Sequence, residues 1–284
     1  MKRTRGMLLL LLLFNFHLMA QNEYKNLVYA VTEDRELLLD LYLPADTEHP
    51  PLIIWVHGGA WHSGAKEDPP KGMLNKGYAL ASVDYRLSVE APFPAQAHDI
   101  KAAIRFLRAN AGRYAYRPDQ FIIWGSSAGG HLAALIGVTN GHAALEGQLG
   151  DHLSESSSVQ AVIDFYGPTN LTSILSQSTP HGISVRAPAM ALLLGRPVEQ
   201  VPELAKLASP VYQVDTDDPP LFLAHGDQDN QVPVNQSLEL YGEYKKRGLS
   251  VELEFVHGAG HGSPDYYQPE FMVKLDQFLK KHLD

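Results

Sequence analysis

The chain contains no cysteine. That excludes disulfides, thiolate metal sites, a cysteine nucleophile and a lipid-modified amino-terminal cysteine. It also lacks a basic block, and its formal net charge is −9. Such a surface is a poor partner for nucleic acid or anionic membranes. No apolar run is long enough to span a bilayer comfortably. The longest, from Met7 to Phe14, is too short, and no stop-transfer pattern comes after it. Internal repeats and low-complexity linkers are missing as well. There are thirteen histidines, but none form a pair at metal-ligand spacing on a predicted helix, so no metal and no cofactor are expected.

What is present begins with a leader. Lys2, Arg3 and Arg5 precede the apolar run, and Ala20 precedes a polar start at Gln21-Asn22-Glu23. A basic region, a short apolar region and a small residue at the cleavage point describe a signal peptide over residues 1–20. Its removal would take the formal charge from −9 to −12. The expectation is an exported bacterial protein, periplasmic or secreted, without stable membrane insertion. Residues 21–284 are expected to form one domain, for which 45% hydrophobic and 19% charged residues is an ordinary composition.

The pattern of apolar runs sets the fold class. Leu27 to Leu43 alternates in part around Glu33-Asp34-Arg35, as in an antiparallel hairpin. Leu52–Val56, Tyr78–Val83, Phe121–Trp124, Val159–Phe165 and Pro220–Ala224 are apolar runs, as in strands of a parallel sheet, and Val251–Val256 reads as a further strand. Helical spacing falls between them, at Ala95–Ala109, Ala128 to about Val138 and Gln236–Lys246, and again at Gln268–Leu283. This predicts an α/β fold of about eight strands, mostly parallel, with helices on both faces. Residues 166–217 break the rhythm, with short helical pieces at Ala187–Leu194 and Val201–Ala208. They read as a cap-like insertion after strand six, or as a plain helical connection.

Chemistry gathers at the strand ends. Gly125-Ser126-Ser127-Ala128-Gly129 joins a strand to a small-residue helix. That is the setting of a nucleophile elbow, in which glycines remove side chains where helix and strand come close. His57-Gly58-Gly59-Ala60-Trp61 comes directly after another strand. Its consecutive glycines let the backbone turn N–H groups inward, with Gly59 and Ala60 as donors to an oxyanion and Ala128 as a third. The loop His225-Gly226-Asp227-Gln228-Asp229 offers carboxylates, and Gly258-Ala259-Gly260-His261-Gly262 offers a histidine base. Serine, acid, histidine is the chain order of one class of serine hydrolase. Other polar residues have plainer readings. Asp227 holds its own loop, His57, His225 and His257 bond to backbone at strand ends, and Arg86 with Asp99 forms a buried supporting pair.

Taken together, these segments resemble the α/β-hydrolase-fold esterases, in particular secreted bacterial acetylxylan and feruloyl esterases. The likeness also rests on Asp84-Tyr85-Arg86-Leu87, Phe93-Pro94-Ala95, Gly130-His131, Tyr166-Gly167-Pro168, Ser209-Pro210 and Val232-Pro233. It implies Ser127 as nucleophile, His261 as base and Asp229, rather than Asp227, as acid. One departure is Ala60, where many lipase-like relatives carry a third glycine. The implied activity is cleavage of a small-molecule or polysaccharide ester, with short-chain or aromatic acyl groups on plant polysaccharide favoured. A general carboxylesterase, an amidase or peptidase on the same scaffold, and a non-catalytic binding protein are the alternatives. Exhaustive chelation should leave activity undiminished. A reproducible loss restored by zinc would overturn the metal-free reading.

Overall fold

The apolar runs pair side by side. In the computed structural model, which describes residues 22–283, β1 (Asn22–Val31), β2 (Glu36–Leu43), β3 (Leu52–Val56), β4 (Ala79–Val83), β5 (Phe121–Ser126), β6 (Ala161–Phe165), β7 (Leu221–Gly226) and β8 (Val251–Val256) form one sheet. Their order is β1-β2-β4-β3-β5-β6-β7-β8. Only the β1–β2 and β2–β4 pairings are antiparallel, and every pairing from β4 to β8 is parallel. The hairpin lies where the alternation of Leu37, Leu39 and Leu41 placed it, although β1 begins earlier, at Asn22. The leader lies outside the described residues. Among the described residues no helix is long and apolar enough to cross a membrane.

Five longer helices flank the sheet: α1 (Ala95–Ala109), α2 (Ala128–Gly137), α3 (Pro180–Leu194), α4 (Asn235–Lys246) and α5 (Pro269–Leu283). Strand periodicity divides the core in two. Leu52, Ile54, Val56, Phe121 and Ile123 face α1 and α2. Ile53, Trp55, Ile122 and Trp124 face the other way, onto Phe271, Met272, Leu275, Phe278 and Leu279 of α5. These strand residues are buried on both faces, which is why they read as unbroken apolar runs. Each fully buried aliphatic side chain contributes about 1.5–3 kcal/mol. β8 is different. It is an edge strand, half-buried, and its Glu252 and Glu254 pair with Lys281 and Lys274 of α5 at 2.8 and 2.5 Å. Charges on an edge discourage pairing with another chain.

The insertion between β6 and β7 carries α3 and a short helix at Pro202–Leu207. α3 starts at Pro180, well before the expected Ala187. Pro188 interrupts the sequence pattern and makes the first turns look non-helical. Those turns form because Thr179 caps them, its Oγ1 accepting from the Gly182 N–H at 3.1 Å, with Pro180 at the first helical position.

Asp164 of β6 is fully buried beneath the elbow helix. Its Oδ1 accepts from the Gly167 N–H at 2.8 Å, and its Oδ2 has no partner among the described residues. Burial pushes its pKa up to about 7, against the lowering effects of the Gly167 N–H and of His225. The folded protein therefore takes up a proton through pH values where the unfolded chain stays ionised. The buried charge costs stability above pH 7, and the cost disappears as pH falls toward the ordinary carboxylate range. Asp164→Asn should accordingly exceed the parent in stability at about pH 8, by on the order of 3–4 kcal/mol, with the gain gone near pH 4. Urea unfolding at both pH values checks this, and equal stabilities at pH 8 would refute it.

Candidate active site

The site forms at the carboxyl ends of β3, β5, β7 and β8, where a doubly wound sheet binds its ligands. Ser127 stands between β5 and α2 with φ 55° and ψ −121°, a strained conformation for a residue with a side chain. The strain is held by packing. A Cβ on Gly125 would fall on the Gly129 carbonyl, and one on Gly129 would fall on the Val56 carbonyl of β3. The Ser127 N–H donates to the Phe165 carbonyl at 2.8 Å, fixing the turn from the β6 side. Ser127 also precedes the first turn of α2, whose free N–H groups favour developing negative charge.

Three loops converge on Ser127. Its Oγ is 2.8 Å from His261 Nε2, and His261 Nδ1 is 2.7 Å from Asp229 Oδ2. An ionised carboxylate can only accept, so Nδ1 carries the proton and Ser127 donates to Nε2. The Asp229 side chain is fully buried. Burial pushes its pKa up, but hydrogen bonds from His225 and His261 outweigh this, with help from the Val232 N–H. The net result lies well below the usual carboxylate range, and the acid stays ionised. Its Oδ1 accepts from the Gln231 and Val232 N–H groups at 2.8 and 2.9 Å, which also fixes its orientation. The contribution of this group to stability is complete at neutral pH and is lost only as pH falls below that range. Asp227 instead binds His257 Nδ1 and the Gly258 N–H, at 3.0 and 2.8 Å, and so holds the base-bearing loop.

The glycine loop after β3 forms the opposite wall. Gly59, Ala60 and Trp61 all have positive φ, at 109°, 50° and 63°. Ala60 thus sits where a glycine would carry no steric cost, at the position of the missing third glycine. The turn is closed by the His62 and Ser63 N–H groups donating to the Gly59 carbonyl at 3.1 and 3.0 Å. Among the described residues nothing accepts a hydrogen bond from the N–H of Gly59, Ala60 or Ala128. Gly59, Ala60, Ser127, Tyr166, Arg186 and His261 help line a cleft of about 370 Å³.

Several supporting residues emerge only from the packing. His131 of α2 accepts from Trp61 Nε1 at 3.0 Å and donates from Nε2 to the Ala208 carbonyl at 2.6 Å. It ties the glycine loop, the elbow helix and the insertion together. Burial lowers its pKa to about 4, so it is neutral in this role at physiological pH. Tyr85 is stacked on His57 and donates to the His57 carbonyl at 3.0 Å. The Tyr166 ring stands edge-on to His261 at 4.9 Å. Arg86 and Asp99 do form an ion pair, at 2.7 Å, but it joins the loop after β4 to α1. Pair contacts like that of His131 with Trp61 have no local sequence signal, because the partners are dozens of residues apart. Among the described residues no cluster of three His, Asp or Glu could hold a metal ion.

Comparison with known proteins points the same way. A family model described as BD-FAE matches residues 39–244. The chain is 30% identical over 237 residues to the esterase LipC of Mycobacterium tuberculosis, covering 81% of this chain and 58% of that protein. It therefore spans little more than half the length of that relative. Among solved structures, a truncated carbohydrate esterase from gut microbiota superposes with a TM-score of 0.85 at 35% identity, covering 93% of this chain and 97% of that one. A bifunctional GH43-CE protein of Bacteroides eggerthii gives 0.82 at 32%, covering 92% and 35%.

The carboxylate of Asp229 specifies which His261 nitrogen is protonated. Asp229→Asn should leave the fold intact and lower kcat on an activated ester by about 10⁴, through the wrong tautomer. Thermal unfolding and steady-state rates together check this. A loss smaller than about tenfold would mean that Asp229 does not orient the base.

Proposed function

The chain belongs to the BD-FAE family, and we propose that it is a serine hydrolase cleaving carboxylic esters through an acyl-enzyme. The observation that carries this reading is the hydrogen-bonded series Ser127–His261–Asp229 beside three unoccupied backbone N–H groups. Ser127 Oγ attacks the ester carbonyl carbon while its proton passes to His261 Nε2. Asp229 stabilises the imidazolium so formed. The carbonyl oxygen becomes an oxyanion, which the N–H groups of Gly59, Ala60 and Ala128 receive. One such donor is worth about 2.7–4 kcal/mol of barrier. Collapse expels the alcohol, which takes the proton from His261. Water then attacks the acyl-serine by the same route and releases the acid.

The substrate we infer is a short-chain or aromatic acyl ester on plant polysaccharide. Two similar structures support this, one a carbohydrate esterase and one a GH43-CE protein. The basic residues and apolar run before Ala20 support action outside the cytoplasm, in the bacterial periplasm or beyond.

Ser127→Ala should abolish turnover of a para-nitrophenyl acetate while retaining the parent's circular dichroism. An organophosphate such as paraoxon should modify the parent at Ser127, located by peptide mass. Modification of Ser126 instead would move the nucleophile. A panel of acetyl, butyryl, octanoyl and feruloyl esters with acetylated xylan tests the substrate class. Preference for octanoyl would overturn the polysaccharide reading.

A further inference from the structure

One cationic side chain in the cleft wall has no use in the mechanism above. Arg186 of α3 is 1% exposed and lines the cleft with Ser127 and His261. Its Nη2 donates to Gln231 Oε1 at 3.0 Å. Its Nε and Nη1 have no hydrogen-bond partner, and among the described residues it has no ion pair. Removing a guanidinium from water without a counter-charge is strongly unfavourable.

The nearby acid makes no hydrogen bond to Arg186. Asp229 exerts an attractive field on Arg186, but its oxygens are committed to His261 and to the Gln231 and Val232 N–H groups. Among the described residues no carboxylate forms an ion pair or hydrogen bond with this guanidinium. Arg186 is also held rigidly. Thr179 Oγ1 at the start of α3 donates to the Asn230 carbonyl at 3.2 Å, and Gly182 packs on the carbonyls of Asn230 and Gln231. The helix bearing Arg186 is thereby fastened to the loop bearing the acid. A buried cation with two unpartnered N–H donors, beside the wall of the cleft, favours an anion. A neutral oxygen would satisfy one donor and leave the charge. A planar carboxylate satisfies the donors and the charge together.

We propose that Arg186 is a carboxylate-receiving subsite, and that the preferred ester carries a carboxylate on its acyl half or its alcohol half. The first source is a dicarboxylic hemiester, and the second is an acylated uronic acid. The inference rests on the esterase reading and names the substrate class within it.

Two matched pairs of substrates test it on the full-length protein. Para-nitrophenyl butyrate against para-nitrophenyl hemisuccinate probes the acyl half. Acetylated methyl xyloside against acetylated methyl glucuronide probes the alcohol half. The parent should favour the charged member of one pair by about tenfold or more in kcat/KM, as charge-assisted hydrogen bonds allow. Arg186→Gln should bring the kcat/KM ratio of that pair to near parity, the charged member losing about tenfold more than the neutral one. The responding pair identifies the carboxylate's source. A measurement without a variant runs beside this. Free succinate or glucuronate should inhibit the parent competitively on the neutral ester, less so as salt rises. Parity in both pairs, equal loss on charged and neutral substrates in Arg186→Gln, or no competitive inhibition would each overturn the subsite. Turnover of neutral esters without these effects defeats the subsite alone. No turnover of any ester defeats the esterase reading with it.

Discussion

The close approach of α2 to β3 and β5 is the constraint on which the site depends. Gly129 lies against the carbonyls of Val56 and His57, and Gly125 lies against the carbonyl of Gly129. No side chain fits between these backbones. The chain must therefore turn within one residue, and that residue, Ser127, takes a conformation that only packing can maintain. Its hydroxyl is left standing at the helix N-terminus, clear of the sheet. A looser crossing would relax Ser127 and lose both the exposed hydroxyl and the N–H groups aligned behind it.

The other walls of the site are built outward from that crossing. His131 sits on α2 and holds Trp61 of the glycine loop on one side and the Ala208 carbonyl of the insertion on the other. Because its pKa is displaced downward by burial, the link keeps one donor and one acceptor across the neutral range. The positive φ angles at Ala60 and Trp61 cost energy locally. The Trp61–His131 bond and the turn bonds to Gly59 offset that cost. Strain of this kind concentrates where backbone N–H groups must face a ligand instead of one another.

On the far side, the acid loop and the insertion share a structure. Residues 229–232 wrap the Asp229 carboxylate with their own N–H groups, and their carbonyls and the Gln231 side chain receive α3. The insertion is thus bonded to the Asp229 loop, and it brings a buried cation to the cleft wall. The loops beyond the sheet supply Ser127, Asp229 and His261, whereas the insertion supplies Arg186 to the cleft wall. The two parts of the chain are joined at Gln231.

The sequence alone determined the order of chemistry along the chain. Ser127, Asp229 and His261 can each be singled out because each lies just beyond a strand, and parallel strands deliver their carboxyl-terminal loops to one edge of the sheet. Local composition also marks the glycine turn at Gly58-Gly59, since few other residues permit it. Less is legible where contacts run between distant residues. α3 reads too short from its residues because Pro188 masks its first turns, and the Thr179 cap that rescues them is a single hydroxyl. Arg186 shows no pattern at all, and Gly130-His131 and Tyr166-Gly167-Pro168 carry a likeness without telling what their side chains touch, because that depends on which surfaces meet. The tertiary structure places Asp229, the acid the resemblance implies, at His261 and Asp227 at His257, and it alone decided that an arginine of the insertion is buried beside Ser127. Side-chain periodicity encodes which face of an element is buried. It does not encode which buried polar groups find partners, which is settled only when the loops close on one another.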